Sequence, residues 1–332
     1  MLLSRFPRVR LAHLPTPLEF LPRLTEHLGG PQIYVKRDDC TGLATGGNKT
    51  RKLEFLMAEA QKRRASVIIT QGAVQSNHAR QTAAAATKLG LKCHLIFEER
   101  LSGTSQTYEG SGNVFLDRMF QAETRSVPKG TDMNDAMESL AVELRAAGEE
   151  PYVIPGGGSN PVGALGYVGC ALEILHQANE QALAIDRVIH ATGSAGTQAG
   201  LLVGFRGTSS GVPVLGIGVN APKDTQESKV LDLARKTAEF IGAAGCVNAT
   251  DVAANCDYVG EGYGVTTPEM NDALLLLARL EGLLFDPVYS GKGLAGMIDL
   301  IRRGEISSEE TVVFIHTGGS AGLFAYQDQL AL

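Results

Sequence analysis

Three observations predict an α/β fold with parallel sheets. Short apolar runs alternate with helical patterns along the chain, and the intervening helices are long enough to act as crossovers. Glycine-rich loops recur at the strand ends, where open α/β sheets bind ligands. In order, Gly46-Gly47-Asn48 leads into a helix from Lys49, with Leu53, Leu56, Met57 and Ala60 at the i, i+3, i+4, i+7 spacing of one buried face. Asn48 stands where a cap is needed. Val67–Thr70 reads as a buried strand, followed by a glycine loop and an alanine-rich helix from about His78 to Leu89. Lys92–Phe97 is the next strand and Asn113–Met119 the next helix. Thr124–Val127, a helix from about Met133 to Ala147 and the strand Pro151–Ile154 come after them. Arg187–Ala191, Val214–Val219, Leu283–Phe285 and Thr311–Ile315 repeat the strand pattern in the second half, with helices between. The turn-rich run Pro155-Gly156-Gly157-Gly158-Ser159-Asn160-Pro161 reads as a crossing between domains and a hinge.

Composition narrows the class. The 332 residues are 44% hydrophobic and 20% charged, as in a soluble globular protein with room for two domains. A net charge of −6 argues against a nucleic-acid scaffold or a binder of anionic membranes. Five cysteines, odd in number and without a Cys-x-x-Cys pair, point to buried reduced thiols and to no metal site. The first ten residues lack the apolar core of a secretory signal, and no stretch is long enough to span a bilayer. The expectation is a cytoplasmic protein.

Four loops at predicted strand ends carry the chemistry: the segment ending in Lys49, Gln75-Ser76-Asn77-His78, Thr192 to Thr197, and His316-Thr317-Gly318-Gly319. The third has the makings of a phosphate cradle, with small residues, Ser and Thr hydroxyls and a helix N-terminus. Nucleotide motifs fail. Asn48 stands where a P-loop needs glycine before its lysine, and no Gly-x-Gly-x-x-Gly follows a strand. A phosphate loop with a lysine on a rigid edge points to pyridoxal phosphate, held at its phosphate and its aldehyde separately.

With Pro15-Thr16-Pro17-Leu18-Glu19, Lys36-Arg37-Asp38-Asp39, Gly46 to Glu54, Gly157-Gly158-Ser159-Asn160, Gly262-Tyr263-Gly264 and Asp286-Pro287-Val288-Tyr289 added, the chain resembles the fold-type II (tryptophan synthase β-like) pyridoxal-phosphate enzymes. Within them it is similar to the D-cysteine desulfhydrase and aminocyclopropane-carboxylate deaminase family. That resemblance implies two open twisted sheets with flanking helices. Residues 1–50 and 151–332 would form a large cofactor-binding domain and 51–150 a small one, in a homodimer. It further implies that Lys49 forms the Schiff base and then removes the substrate α-proton. Asn77 would bond the ring 3′-oxygen, and Gly193, Ser194, Ala195, Gly196 and Thr197 the phosphate. Ser76 with the neighbouring amides of Asn77 and His78 would take the substrate carboxylate. Tyr263 and Tyr289 would line the substrate pocket.

One departure from the deaminases matters. Ser290 stands where they carry a glutamate against the pyridine nitrogen, so a hydroxyl of Ser290 or Thr317 would meet that nitrogen. This disfavours cyclopropane opening and suits β-elimination from a three-carbon amino acid. The run Cys40 to Gly47 most resembles the L-cysteate sulfo-lyase branch, which releases sulfite, pyruvate and ammonia, with D-cysteine desulfhydrase as the alternative. Thr45, Gln75 and Ser290 are then the candidate sulfonate donors. His78 and His316 are expected to support the site, and Lys292 is a second-ranked rival for the covalent lysine.

Overall fold

A computed structural model describes residues 2–330. Its strands are β1 (Leu18–Phe20), β2 (Gln32–Lys36), β3 (Val67–Ala73), β4 (Lys92–Glu99), β5 (Glu123–Pro128), β6 (Pro151–Val153), β7 (Arg187–Thr192), β8 (Val214–Gly218), β9 (Ala253–Asn255) and β10 (Thr311–Ile315). Six form one sheet in the order β1-β2-β10-β7-β8-β9, and four form another in the order β5-β4-β3-β6. Every pairing is parallel except β1 with β2. Parallel strands enclosed on both faces read as continuous apolar runs, as Val312-Val313-Phe314-Ile315 does, each buried.

The helix Lys49–Lys62 lies between the two sheets. Leu53, Leu56, Met57 and Ala60 pack with Ile68, Ala83 and Leu95 of the four-stranded unit. Each fully buried leucine there contributes roughly 1.5–3 kcal/mol. The opposite face is ionic. Arg51 donates to both oxygens of Asp38 (2.9 and 2.8 Å) and to Glu173 of the helix Pro161–Glu180 (2.8 Å). Tyr167 Oη donates to Asp38 at 2.5 Å, and Lys36 Nζ to Glu173 at 2.5 Å. Removing one partner from such a buried network costs about 3–5 kcal/mol, since it strands the remaining charge.

Several expectations change. Leu283–Phe285 is buried at Leu283 and Phe285 but is no strand. It is pinned between the left-handed helix stop at Gly282 (φ 66°) and Pro287, which has no N–H to donate, and Phe285 stacks on His316 with ring centroids 3.8 Å apart. Asn48 does not cap the Lys49 helix. Its backbone is already helical, and its side-chain amide donates to Thr197 Oγ1 at 3.2 Å. Gln81 Oε1 accepts from Thr50 N instead, at 3.0 Å. The Lys49 segment follows β2 only after two short 3-10 turns, and β1, β2 and β9 had no counterpart in the sequence reading. Strands of three to five residues with polar ends leave little periodicity to detect.

Candidate active site

The loops after β3 and β7 line one cleft of about 590 Å³ with the N-terminus of the Lys49 helix, and the loop after β10 reaches a narrow extension of it through Thr317. β10 and β7 are neighbours from distant parts of the chain, so their C-terminal ends open on a crevice of the kind where α/β sheets hold ligands. Lys49, Ser76, His78, Gly193, Ser194, Ala195, Tyr263 and Tyr289 line the main cleft. A narrow extension of about 30 Å³ runs past Asn48, Lys49, Asn77, Thr197 and Thr317. Gly156 and Gly157 form part of the cleft wall: a Cβ on Gly157 would lie 2.3 Å from Ser194 Oγ and 3.6 Å from Lys49 Nζ.

Lys49 projects from the first helical position. Enclosure by protein lowers its pKa to about 8, opposed by the nearby charge of Asp286. An amine with that pKa is a competent nucleophile near neutrality. Covalent capture of pyridoxal phosphate by the apo-protein should therefore quicken with pH and level off above about 8, because only the neutral amine attacks. Stopped-flow absorbance at a series of pH values checks this. A rate still climbing at the ordinary lysine pKa of 10.5 would show that Lys49 is not depressed.

Ser76 is the N-cap of the helix Asn77–Lys88, its Oγ accepting from Ala79 N at 3.1 Å. Asn77 Oδ1 accepts from Asn113 Nδ2 at 2.9 Å, which fixes the amide orientation and leaves its Nδ2 as the donor toward the extension. His78 Nε2 lies 2.8 Å from Thr70 Oγ1, which itself donates to Ile154 O, so Nε2 carries the proton. Nδ1 is then a bare acceptor with no protein partner among the described residues. Burial, with Lys49 and Lys52 nearby, keeps this ring neutral.

The Gly193–Thr197 turn is strained at Ala195, with φ of 70° outside glycine's usual territory. Facing it is Lys52, one turn beyond Lys49. Its Nζ donates to Gly157 O (3.0 Å) and lies 2.9 Å from where a Cβ on Gly196 would sit, so that position has no room for a side chain. Sequence reasoning missed Lys52, although its i+3 spacing from Lys49 puts both on one helix face. A buried amine, a turn of small residues and the N-terminus of the helix Gly196–Gly207 suit a phosphate dianion. Together with the Lys49 amine and the Asn77 donor they fit pyridoxal phosphate.

Other sequence candidates lie elsewhere. Gln75 is engaged with Tyr108 O (2.6 Å), Ser111 O (3.0 Å) and Asn113 N (2.9 Å), away from the cleft lining. Ser290 Oγ donates to Asp286 Oδ1 at 2.6 Å and accepts from Asp286 N at 2.8 Å, so it is occupied in a turn. Thr45 is exposed at φ 67° and lines neither space. None of the three offers a side-chain donor to a sulfonate in the cleft. Of the two hydroxyls expected at the ring nitrogen, Thr317 lines the extension and Ser290 does not. Lys292 donates to Val259 O (2.6 Å) and Gly262 O (2.9 Å), holding the loop that carries Tyr263. His316 is occupied by Gly318 N and Leu284 O, and burial drops its pKa to about 4.

Residues 9–318 match the model of the family described as pyridoxal-phosphate dependent enzyme. The chain belongs to that family. The pyridoxal-phosphate dependent enzymes it is similar to include D-cysteine desulfhydrases of Salmonella typhi and Salmonella newport (strain SL254). Each is 45% identical over 324 residues, covering 98% of this chain and 97% of the relative. A crystal structure of an ACC deaminase homologue superposes with a TM-score of 0.90 at 39% identity, covering 99% of this chain and 96% of that one. A threonine deaminase from T.th., at 19% identity and TM-score 0.62 over 92% of each chain, shares the fold. The fold is type II, and the cofactor is pyridoxal phosphate. Among the described residues no helix is long and apolar enough to cross a membrane, and no cluster could hold a metal.

Proposed function

We propose that this chain is a deaminating β-elimination lyase and that D-cysteine is its substrate, giving hydrosulfide, pyruvate and ammonia. The observation that carries this reading is the 45% identity, over nearly the whole length of both chains, with D-cysteine desulfhydrases. The bound cofactor supplies a sink for the electrons left on the α-carbon. Lys49 anchors it and, once released, takes the α-proton, a role its pKa of about 8 suits at neutral pH. Ser194, Thr197, the turn amides and Lys52 would hold the phosphate. Asn77 Nδ2 would bond the ring oxygen, and Thr317 would meet the ring nitrogen. Ser76 with the amides beginning the Asn77 helix takes the substrate carboxylate. Tyr263 and Tyr289, bonded hydroxyl to hydroxyl, form the wall against the β-substituent. Residues 51–150 act as a small domain closing on the rest, and two copies associate in the cytoplasm.

L-cysteate, with sulfite as the product, is the second reading. The guanidinium of Arg100 in the cleft lining complements an anionic substituent. Aminocyclopropane-carboxylate opening fits less well, since Ser290 is a hydroxyl already bonded to Asp286. Purified holoenzyme given D-cysteine and L-cysteate separately, with sulfide, sulfite and pyruvate assayed, tests the choice. Sulfide from D-cysteine is expected. Sulfite from L-cysteate without sulfide from D-cysteine would replace the desulfhydrase by the sulfo-lyase.

A further inference from the structure

Arg100 follows directly on β4, where sequence reasoning gave it no role. Its Nε donates to Glu98 Oε2 at 2.6 Å, and its guanidinium carbon lies 4.7 Å from the centre of the Tyr263 ring. Tyr263 in turn meets Tyr289 edge-on, with centroids 5.6 Å apart, and their hydroxyls bond. Ion pair and ring together fix the plane of the guanidinium. Neither Nη1 nor Nη2 meets a protein acceptor among the described residues, and the side chain is 27% exposed. Arg100 lines the same cleft as Lys49 and Ser76. The other cations there differ. Lys229 and Lys236 are exposed, with Lys236 paired to Asp232 at 2.8 Å, while Lys52 lies behind the lining, bonded to Gly157 O.

The elimination reading, on which this inference rests, requires a group that departs as an anion. Lys49 takes the α-proton, the C–S bond breaks with both electrons going to sulfur, and hydrosulfide leaves. The remaining enamine takes up water and yields pyruvate and ammonia. We propose that Arg100 receives the departing sulfur, its two unengaged nitrogens donating to the charge that develops there. A donor aimed at developing charge in an enclosed site acts on the transition state more than on the bound substrate. A sulfonate departing as sulfite carries its charge to the same place, so Arg100 serves either leaving group.

The test compares leaving groups. Chloride departs readily without help and hydrosulfide does not, so holoenzyme and its Arg100→Gln and Arg100→Lys variants are assayed on D-cysteine and on β-chloro-D-alanine. D-alanine, which has nothing to expel, serves as a competitive inhibitor. Arg100→Gln should lower kcat on D-cysteine by roughly 100-fold, the usual effect of deleting one such donor. Its kcat on β-chloro-D-alanine should fall far less, with D-alanine inhibition and the cofactor absorbance close to wild type. Arg100→Lys should recover part of the loss. Equal losses on both substrates, or weakened D-alanine binding to match, would make Arg100 a structural residue and overturn the proposal. So would undiminished D-cysteine turnover. If the wild type instead releases sulfite from L-cysteate and no sulfide from D-cysteine, the substrate reading fails by itself. The same contrast, run on L-cysteate against β-chloro-L-alanine, then decides Arg100.

Discussion

Lys49→Ala is expected to abolish the visible absorbance of covalently held cofactor and to reduce lyase turnover by ~1000-fold or more, since anchor and base are lost together. The protein should still fold. Lys49 makes no hydrogen bond or ion pair to the protein among the described residues, and its loss relieves Lys52 and His78 of a neighbouring positive charge. The midpoint of thermal unfolding of the apo-protein should move by no more than ~2 °C. Absorbance spectra, steady-state kinetics and apo-protein melting on one preparation measure all three. Wild-type turnover in this variant would remove Lys49 from both roles, and Lys292, buried and bonded to two carbonyls, offers no ready replacement.

The second large effect is on cofactor retention. In Thr197→Asp a carboxylate would stand in the turn that faces Lys52, beside the phosphate. Two like charges about 5 Å apart at an effective dielectric of ~20 repel by ~3 kcal/mol, which weakens retention by roughly 100-fold. Thr197→Ser keeps the hydroxyl that accepts from Asn48 and should hold the cofactor nearly as well as wild type. Dialysis against buffer without cofactor, followed by absorbance, reads the difference. Equal retention by the aspartate and serine variants would place the phosphate away from this turn.

Much of this was legible because the relevant signals are local. The buried strands β3 and β10 are continuous apolar runs, and the loops that follow them carry their small and polar residues together. Lys49 announces itself by the glycines before it and the amphipathic helix after it. What was illegible depends on contacts between distant segments. Gln75, Ser290 and Thr45 sit in or beside site loops, yet only the fold reveals that the first two are bonded to other residues and that the third faces solvent. Leu283–Phe285 has strand composition but is unpaired, with Phe285 stacked on His316. Lys52 and Arg100 carry no motif. Lys52 is defined by Gly157 and Gly196, more than a hundred positions away, and Arg100 by Tyr263.

The burial of Lys52 has a consequence for how the protein is assembled. Its amine sits inside the protein with no carboxylate partner among the described residues, and burial and Lys49 both hold its proton affinity well below that of an ordinary lysine. A phosphate bound beside it would reverse that balance, and the amine would gain a proton with the anion. Lys49 must be without its proton to bond the aldehyde. Loading the cofactor in that arrangement would move a proton's worth of charge from one end of a single helical turn to the other.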